Sequence, residues 1–383
     1  MNVPLTESIR NVAVVSHAGS GKTSLVEALA YCAGSLPAPG SVFAGTTVSD
    51  FEPEEIHHRT SLSTAVLRCS YQDRVLNLLD TPGSPSFIGE TRSALRAADG
   101  VIVVVSAATG VRSALQRLWS MIRDSGLPCV VFVNDLDKDG TAFDSTVEAL
   151  TKELEMTAVP LILPMGNGVQ LGDIVDLLQN RVVTSRPDRP QSQQGPVPPE
   201  WHERVDQARR RVMELVAEGD EALLERYLTD GALTEEALLK GLQTGVQCGS
   251  LVPIVGGSAI RHIGVHTLLQ SLVDLLPSPA GRAHVAPLQG IGLIEGGEPI
   301  SRSPVPTEPF SGLIFKTLID PFIGRLSYIR VYSGTLEADT AIYNSTRQVR
   351  ERGGHLFSIF GKKYMPITRA TAGEIVAIGK LKD

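Results

Sequence analysis

A segment of eight residues near the amino terminus, Ser-His-Ala-Gly-Ser-Gly-Lys-Thr at positions 16–23, constrains the fold of this chain more than any other feature. It directly follows an apolar run at 11–16 that is typical of a buried strand, and it precedes a stretch at 23–33 that is typical of a helix. Small residues let backbone N–H groups turn inward around phosphate oxygens, a lysine neutralises the outer phosphates, and a Ser or Thr hydroxyl binds Mg²⁺. The segment therefore predicts a strand, a phosphate-binding loop and a helix.

This loop departs from the general pattern at one position, because Ser16 stands where the pattern has a glycine. We expect Lys22 to neutralise the phosphates and Thr23 to bind Mg²⁺, so both are candidate catalytic residues for phosphoryl transfer. The residues of the segment that are predicted to contact a nucleotide are Ser16, His17, Ala18, Gly19, Ser20, Gly21, Lys22, Thr23 and Ser24.

Further apolar runs at 75–79, 101–105 and 129–133 alternate with helical stretches, which is the pattern of an α/β domain. Each run is nearly continuous, as expected for strands of a parallel sheet that is buried on both faces. We therefore predict an α/β P-loop domain with a mainly parallel sheet and helices on both faces. Residues 34–60 are polar and are predicted to form a mobile loop.

The α/β domain is predicted to span residues 1–284 and to contain an inserted α/β subdomain at 151–249. Residues 186–200 are rich in Pro, Gln and Ser, which indicates a surface connection inside the insertion. Within the insertion, helices are predicted at 201–216 and 234–242. After the insertion, a strand is predicted at 251–255 and a helix at 265–276.

The remainder of the chain has a different pattern, in which short alternating runs are separated by Gly and Asp turns. Such runs are typical of an antiparallel β-barrel. We predict a linker at 285–306 and a β-barrel domain at 307–383. The predicted barrel strands include runs at 313–316, 327–332, 341–344 and 375–378.

The sequence Asp-Thr-Pro-Gly follows the run at 75–79. Open α/β sheets bind ligands at the carboxyl ends of their strands. At such a place, Asp80 can hold Mg²⁺ through a water molecule and the Gly83 N–H can contact a γ-phosphate, so both are candidate catalytic residues. The predicted nucleotide-contacting residues of this loop are Asp80, Thr81, Pro82 and Gly83.

Asn134, Asp135 and Asp137 follow the run at 129–133. Guanine-nucleotide-binding proteins have Asn-Lys-x-Asp at this place, and its Asp accepts the N1 and N2 protons of guanine, for which adenine has no matching donors. Asn134 and Asp137 fit this pattern, whereas Asp135 replaces the lysine. A second base-contacting loop, with N–H groups directed at the base oxygen, is predicted at Gly257, Ser258 and Ala259.

Composition favours a globular protein, because hydrophobic residues make up 42% of the chain and charged residues 20%. No apolar run approaches the ~20 residues that span a bilayer. Residues 1–10 lack the basic start and apolar block of a signal peptide. We expect a cytoplasmic monomer with no membrane partner. The thiols are expected to be free and buried or half-buried: Cys32, Cys69, Cys129 and Cys248.

The net charge of −7 is unevenly distributed, because residues 305–383 contain 11 Lys and Arg against 7 Asp and Glu. A basic carboxyl-terminal part permits contact with a polyanion such as RNA. Ordinary solvated surface charge explains the same distribution equally well. Charge alone therefore leaves the partner open.

With these elements in this order, the chain resembles the translational GTPases, and specifically elongation factor G. Residues 309–317 and 330–336 are very similar to that family's second, barrel domain. The resemblance implies GTP and GDP as ligands, Mg²⁺ as the metal, hydrolysis of GTP to GDP and phosphate, and the ribosome, with its RNA and proteins, as the partner; it implies no DNA partner. Elongation factor G continues with three more domains, so we expect a fragment or a shortened relative that does not carry out translocation.

The clearest departure from the family follows Asp-Thr-Pro-Gly, where the family has a His that orients the attacking water and this chain has Ser84. A Ser hydroxyl does not replace an imidazole in that role, so the resemblance implies slow hydrolysis, with Ser84 at the catalytic position. Further departures are Gly19, which replaces an acidic residue, and Ala18 and Thr60, which replace larger apolar residues. The pattern indicates a divergent relative of the housekeeping factor.

The predicted metal ligands are Thr23, Ser61 and, through water, Asp80. By spacing from Asp80, Ser61 corresponds to the family's Thr that ligates Mg²⁺, and it retains the hydroxyl. His57 and His58 lie in the same polar loop. We expect them to be exposed loop residues rather than substitutes for the missing His.

Three functions remain open. The first is a ribosome-associated factor that hydrolyses GTP slowly, in which the nucleotide orders or releases residues 34–61 and 80–86 and tilts the barrel. The second is a GTP-dependent switch that binds the ribosome or another protein with little hydrolysis. The third is an ATP-using enzyme that has lost guanine selection through Asp135, against which the retained Asp137 argues.

Overall fold

A computed structural model describes residues 4–285, 288–291 and 299–382. The strands up to residue 285 are β1 (Ile9–Val15), β2 (Ala65–Tyr71), β3 (Arg74–Asp80), β4 (Gly100–Ser106), β5 (Cys129–Asn134), β6 (Ala158–Pro160), β7 (Ile162–Met165), β8 (Asp173–Asp176), β9 (Arg181–Thr184), β10 (Gln193–Gly195) and β11 (Val252–Gly256). The helices are α1 (Lys22–Cys32), α2 (Pro53–His58), α3 (Ile88–Ala97), α4 (Ser113–Asp124), α5 (Phe143–Leu154), α6 (His202–Ala217), α7 (Glu221–Asp230), α8 (Glu235–Gln247), α9 (Val265–Leu275) and α10 (Pro279–Val285).

The main sheet has seven strands in the order β2-β3-β1-β4-β5-β11-β6. All neighbours are parallel except β2, which pairs antiparallel with β3 at one edge. Every residue of β1, β4 and β5 is buried. Because successive side chains of a strand point to opposite faces, both faces of the sheet must be covered, and helices cover them. The predicted α/β fold class is confirmed.

The edge strand β2 was not predicted from the sequence. Its run Ala-Val-Leu-Arg-Cys-Ser-Tyr contains Arg68, which is half-buried, and Ser70, which is exposed. The apolar run is therefore interrupted, unlike those of the central strands. An edge strand is less completely buried than a central strand, so its sequence need not be a continuous run of apolar residues.

The insertion consists of an antiparallel sheet, in the order β10-β9-β8-β7, and the helices α6, α7 and α8. Its predicted first residue, Thr151, lies inside α5, and β6 pairs with β11 of the main sheet. The structurally separate part of the insertion therefore begins only after β6. The predicted helices at 201–216 and 234–242 correspond to α6 and α8, whereas the predicted surface connection contains the short strand β10.

The carboxyl-terminal part is all β. Its strands are β12 (Leu288–Ile291), β13 (Pro299–Arg302), β14 (Ser311–Asp320), β15 (Gly324–Ser333), β16 (Thr335–Glu337), β17 (Ala341–Asn344), β18 (Val349–Arg352), β19 (Leu356–Phe360), β20 (Lys363–Ile367), β21 (Arg369–Thr371) and β22 (Ile375–Gly379). The central sheet has the order β14-β15-β22-β19-β20, with the pairs β16-β21 and β17-β18 beside it, and all pairs are antiparallel. This confirms the predicted barrel class.

The predicted linker, 285–306, is not a simple connection. Strands β12 and β13 pair antiparallel within it. Residues 286–287 and 292–298 of the predicted linker, and Asp383 at the end of the predicted barrel domain, lie outside the described residues.

The barrel packs directly on the main sheet through contacts that include an apolar cluster and a fully buried ion pair. The cluster combines Val66 and Leu79 of the sheet with Tyr328 and Ile359 of the barrel. Beside it, the Nη2 atom of Arg330 in β15 donates to both carboxylate oxygens of Asp99, at 3.0 and 2.8 Å. Arg330 is 1% exposed, so this pair is shielded from water.

All four cysteines are free. Cys32, Cys69 and Cys129 are buried, whereas Cys248 at the end of α8 is exposed, so the expected burial of this fourth thiol was wrong. Its position explains the error, because it follows the last buried residue of the helix, Val246. Among the described residues, no helix is both long and apolar enough to cross a membrane.

Candidate nucleotide-binding site

The predicted phosphate-binding loop connects β1 to α1. Gly21 has φ of 89°, in the left-handed region, and a Cβ atom at this position would collide with the Asn134 side chain. Glycine is therefore needed both for the backbone conformation and for the close approach of the two loops. Lys22 is the first residue of α1, so the free N–H groups of the helix amino terminus lie at the loop.

Lys22 is buried at this loop. Its Nζ atom donates a hydrogen bond to the carbonyl oxygen of His17, at 3.1 Å. Burial lowers the pKa of Lys22 to about 8, while the nearby carboxylates of Asp80 and Asp50 favour the charged form. An ammonium group held in this way is positioned to neutralise phosphate oxygens.

The three predicted metal ligands come together. The Oγ1 atom of Thr23 lies 3.2 Å from the Oγ atom of Ser61. Asp80 is 1% exposed, and both of its carboxylate oxygens are buried with no hydrogen-bond partner among the described residues. Burial raises the pKa of Asp80 to about 7, although the positive charge of Lys22 opposes the rise. Two hydroxyls beside a carboxylate without partners are oxygen donors of the kind that Mg²⁺ prefers, so the residues fit this ion.

Asp50 is a site residue that was missed in the sequence. It lines the same cavity as Thr23 and Ser61, and burial raises its pKa to about 6. The negative charge of the Asp50 carboxylate also contributes to the raised pKa of Asp80. Two acidic groups at one site favour the binding of a cation. The sequence contained no indication of this role for Asp50 beyond an Asp in a polar loop.

Lys22, Thr23, Asp50 and Ser61 line a cavity of about 420 Å³, whereas Asp80 is buried behind its lining. Its lining contains, among the predicted site residues, Ala18, Gly19, Gly21, Lys22, Thr23, Ser24, Ser61, Gly83, Asn134 and Asp135. A Cβ atom on Gly83 would lie 2.6 Å from the Ala18 nitrogen, so the Asp-Thr-Pro-Gly turn packs against the phosphate-binding loop. The cavity therefore joins the first loop, the turn after β3 and the loop after β5.

Several predicted contact residues have structural roles beside the cavity instead. Thr81 Oγ1 donates to the Val14 carbonyl at 2.8 Å, and Thr91 Oγ1 donates to the Pro82 carbonyl at 3.5 Å. Ser20 is fully buried. These residues hold the turns in place, and their side chains do not line the cavity.

Ser84 lines a different cavity, of about 380 Å³, together with Ser16, His17 and Arg117. Its Oγ atom accepts a hydrogen bond from the Ser86 N–H at 3.4 Å and caps a short 3₁₀ helix, Pro85–Phe87. Burial lowers the pKa of His17, and its Nε2 atom has no hydrogen-bond partner among the described residues. The Ser84 hydroxyl thus caps its own turn and lies outside the nucleotide cavity.

Asn134 connects the predicted base-contacting loops to the phosphate-binding loop. Its Nδ2 atom donates to the Ser20 carbonyl at 3.0 Å, and its Oδ1 atom accepts from the Ala259 N–H at 2.9 Å. The Gly257 carbonyl accepts from the Leu136 N–H at 3.1 Å. Asn134 therefore orients the surrounding loops.

Asp135, which replaces the family's lysine, forms an ion pair with a nearby lysine. Its Oδ2 atom lies 3.1 Å from the Nζ atom of Lys138, and it also accepts from the Ser106 hydroxyl. Lys138 lines the cavity and was missed because it lies three residues from the expected position. Asp137 is half-buried and, with Gly257, Ser258 and Ala259, is not part of the cavity lining.

The segment 34–64, predicted to be a mobile loop up to residue 60, contains the helix α2. Glu27 of α1 accepts from the N–H groups of Gly40 and Val48 at 2.7 and 2.6 Å. Glu55 of α2 is buried and accepts from the Leu62 N–H at 2.9 Å. His57 and His58 are exposed on α2 and do not line the cavity, as expected. Two buried carboxylates therefore fix the path of the segment to Ser61.

The strand order, the glycine-containing loop at the start of α1 and the carboxylate at the end of β3 define a P-loop nucleotide-binding domain, and a β-barrel follows it. The chain belongs to the translational GTPases: the family model for the elongation factor Tu GTP-binding domain matches residues 7–278, and the model for elongation factor G domain 2 matches residues 309–383. The predicted resemblance to elongation factor G is confirmed.

Individual relatives agree with this assignment. Elongation factor G of Thermotoga neapolitana is 33% identical over 373 residues, which cover 97% of this chain and 53% of that protein. A crystal structure of a protein from Thermus thermophilus superposes with a TM-score of 0.83 at 34% identity, over 98% of this chain and 52% of the other. The chain thus spans about half the length of the relatives that it matches.

Proposed function

We propose that this protein binds GTP and GDP with Mg²⁺ at the cavity around Lys22 and hydrolyses GTP slowly to GDP and phosphate. The observation that carries the proposal is the convergence of Lys22, Thr23 and Ser61 on one cavity, with the buried Asp80 close enough to Lys22 to interact with its charge. A nucleoside triphosphate with a divalent cation matches the charge and the donors of this site.

In this proposal, the residues act by positioning and by electrostatics. Lys22 and the N–H groups at the start of α1 hold the phosphates, while Thr23, Ser61 and Asp80 hold the metal, which neutralises charge on the phosphates when it is bound. A water oxygen bonds to the γ-phosphorus as the bond from that phosphorus to the β–γ bridging oxygen breaks. The products are GDP, phosphate and a proton.

Slow turnover follows from Ser84. Its hydroxyl lies outside the nucleotide cavity and accepts a hydrogen bond from Ser86, so no side chain at this position orients the attacking water. The same observation favours a second candidate, a GTP-dependent switch that binds its partner with little hydrolysis. The two candidates differ only in turnover and not in nucleotide binding.

We propose the ribosome as the partner and the cytoplasm as the location, with the protein acting as a monomer that contacts neither DNA nor membrane. The name of the Thermotoga neapolitana relative, elongation factor G, and the excess of basic residues in 305–383 support an RNA-containing partner.

For the domain division, we propose a G domain at 1–284, with its insertion at 151–249, and a barrel at 307–383. Limited proteolysis should release these units by cleavage within 285–306.

Two measurements test the proposed activity. Isothermal titration calorimetry with Mg²⁺ should detect binding of both GTP and GDP. Single-turnover hydrolysis, with and without ribosomes, should show slow turnover and weak stimulation. Stimulation as large as that of a relative with His after Asp-Thr-Pro-Gly would contradict slow catalysis, whereas binding without any turnover would favour the switch.

A further inference from the structure

A second cavity, of about 560 Å³, lies where the α/β domain meets the barrel, and we call it the interdomain cavity. Helices α3, α4 and α10 line one side of it, and Arg330 and Tyr332 of β15 line the other. Asp99, which also lines it, directly precedes β4, whereas the nucleotide-binding loops follow β1, β3 and β5. These strands are parallel, so the two cavities lie at opposite ends of them. A volume of this size is typical of sites for small organic molecules.

Positive charge dominates the lining of the interdomain cavity. Its arginines are Arg92, Arg96, Arg282, Arg302 and Arg330, and its carboxylates among the described residues are Asp99 and Asp124. Asp99 pairs with Arg330, and the Nη1 atom of Arg302 lies 3.7 Å from a carboxylate oxygen of Glu308. Three arginines therefore remain against one carboxylate, that of Asp124, which is exposed at the end of α4.

Two of these three arginines, Arg92 and Arg96, are exposed one turn apart on α3. Like charges four residues apart on a helix repel each other. In the part of the chain that the structure describes, neither guanidinium forms an ion pair or a hydrogen bond. An anion that reaches both side chains would offset their repulsion.

The third arginine, Arg282 of α10, is half-buried. Its Nη2 atom donates to the Ser125 carbonyl at 3.5 Å, which is long for a hydrogen bond. Burial lowers the pKa of Arg282, although the negative charge of Asp99 opposes this effect. A cation that is partly removed from water is stabilised by an anion beside it, and Asp99 is already paired with Arg330.

The buried Arg330 gives a further, independent observation. It is 1% exposed and bonds to Asp99 through Nη2 alone. Its Nε and Nη1 atoms are buried and have no hydrogen-bond partner among the described residues. Buried donors without acceptors are destabilising. An anionic group in the cavity would bring acceptor atoms close to this guanidinium.

The rest of the lining is mainly apolar. Leu95 and Ala98 are buried, and Met121 is half-buried beside them. The ring of Tyr332 extends this apolar surface on the barrel side, and its hydroxyl donates to the Arg96 carbonyl, which holds the ring in place. The interdomain cavity therefore combines an apolar surface with guanidinium groups that lack anionic partners.

We propose that the interdomain cavity binds a small aromatic anion, that is, a molecule with one or more rings and a carboxylate, sulfonate or phosphate group. Guanidinium groups pair with such anions through two donors and stack on aromatic rings. The apolar lining covers the rings, so an inorganic anion or a neutral ring would satisfy only half of the site. Both domains contribute residues, so a bound ligand would also stabilise their contact.

Fluorescence titration of the complete chain with anilinonaphthalene sulfonate, an aromatic anion, tests this proposal. Because a hydrogen bond to a charged group is lost, Arg96→Gln and Arg282→Gln should each weaken binding of this dye by about tenfold to a hundredfold. Arg123→Gln, at an exposed arginine of α4 that does not line the cavity, is the matched control and should leave the affinity unchanged. N-phenylnaphthylamine has the same rings without the sulfonate. It should bind more weakly and should not distinguish these proteins.

Competition and a cavity-filling variant locate the bound dye. Phenyl phosphate should displace it, whereas inorganic phosphate at the same concentration, or GDP with Mg²⁺, should not. Ala283 lines the cavity from α10, so Ala283→Trp should fill the cavity and abolish dye binding while every arginine stays in place.

Equal dye affinity in Arg96→Gln, Arg282→Gln and the control would overturn the proposal, as would equal displacement by the two phosphates. Displacement by GDP would assign the dye to the nucleotide cavity and would overturn it too. None of these measurements depends on GTP hydrolysis, so a failure here is distinguishable from a failure of the proposed function.

Discussion

The hydroxyls of Thr23 and Ser61 lie 3.2 Å apart, although the two residues are separated by 38 positions in the sequence. Thr23 belongs to the first turn of α1, whereas Ser61 lies near the end of the 34–64 segment. A shared metal ion at this point would connect the segment to the phosphate-binding loop. The position of the segment would then depend on the bound nucleotide.

Ser61→Ala tests this connection. Loss of the hydroxyl should weaken Mg²⁺ binding to the GTP complex by at least about tenfold, as judged from the effect of losing groups that support a metal site. Titration of Mg²⁺ with a fluorescent GTP analogue measures the change. Ser86→Ala is the control, because Ser86 is exposed and does not line the cavity. Equal Mg²⁺ affinity in the two variants would argue against Ser61 as a ligand.

The buried carboxyls predict an unusual pH dependence of stability. Burial raises the pKa of Asp80 from 3.8 to about 7 and that of Asp50 to about 6. At pH values between 3.8 and these raised pKa values, the two carboxyl groups hold more protons in the folded nucleotide-free protein than in the unfolded chain. The contribution of these two groups to the free energy of unfolding should therefore fall as pH rises through this range.

Urea denaturation of the nucleotide-free protein at several pH values measures this effect. The variant Asp50→Asn/Asp80→Asn should show a smaller loss of stability with rising pH than the unmodified chain. Mg²⁺ favours the ionised carboxylates, so it should stabilise the unmodified chain most at high pH. Parallel pH profiles for the two proteins would contradict the assigned burial effect.

Ser84→His tests the reason for slow hydrolysis. An imidazole after Gly83 can orient the attacking water, and groups of this kind contribute about 10²–10⁴-fold to enzymatic rates. We expect the Ser84→His variant to raise ribosome-stimulated turnover by at least about tenfold. The affinity for GTP should change little. Ser86→His is the matched control on the same turn. An unchanged rate would mean that position 84 does not limit hydrolysis.

The Asp99–Arg330 pair predicts a strong coupling between the main sheet and the barrel. Arg330→Met leaves Asp99 buried without its cation, so it should lower the free energy of unfolding by about 3–5 kcal/mol. The double variant Asp99→Asn/Arg330→Met should recover part of this loss. Chemical denaturation measures both, with Arg347→Met, at an exposed arginine, as the control. Equal stability of Arg330→Met and the control would show that the pair contributes nothing.

The sequence was sufficient for the parts of the fold with strong local signals. The central strands β1, β4 and β5 are continuous apolar runs because both faces of the sheet are covered, and the glycine-containing loop lies directly between β1 and α1. The main barrel strands were equally recognisable from alternation and turns. These features depend on neighbouring residues in the chain.

Some of the parts that were not predicted depend on residues that are distant in sequence, and others depend on local contacts without a recognisable pattern. Asp50 joins the site because Glu27 and Glu55 fix the path of the 34–64 segment, and Lys138 lines the cavity and forms an ion pair with Asp135. The turn at Ser84 looks like a catalytic position in the sequence, yet its hydroxyl caps a 3₁₀ helix beside another cavity. None of these contacts leaves a periodic pattern in the sequence.

The most direct test of the nucleotide site is calorimetric titration of the folded protein with GTP, GDP and ATP in the presence of Mg²⁺. We expect one site per chain that binds both guanine nucleotides, and ATP should not displace a fluorescent GTP analogue. Asp137→Ala should reduce that discrimination. If neither GTP nor GDP binds even at millimolar concentration, the account of the site is wrong; if ATP competes equally, the assignment of guanine is wrong.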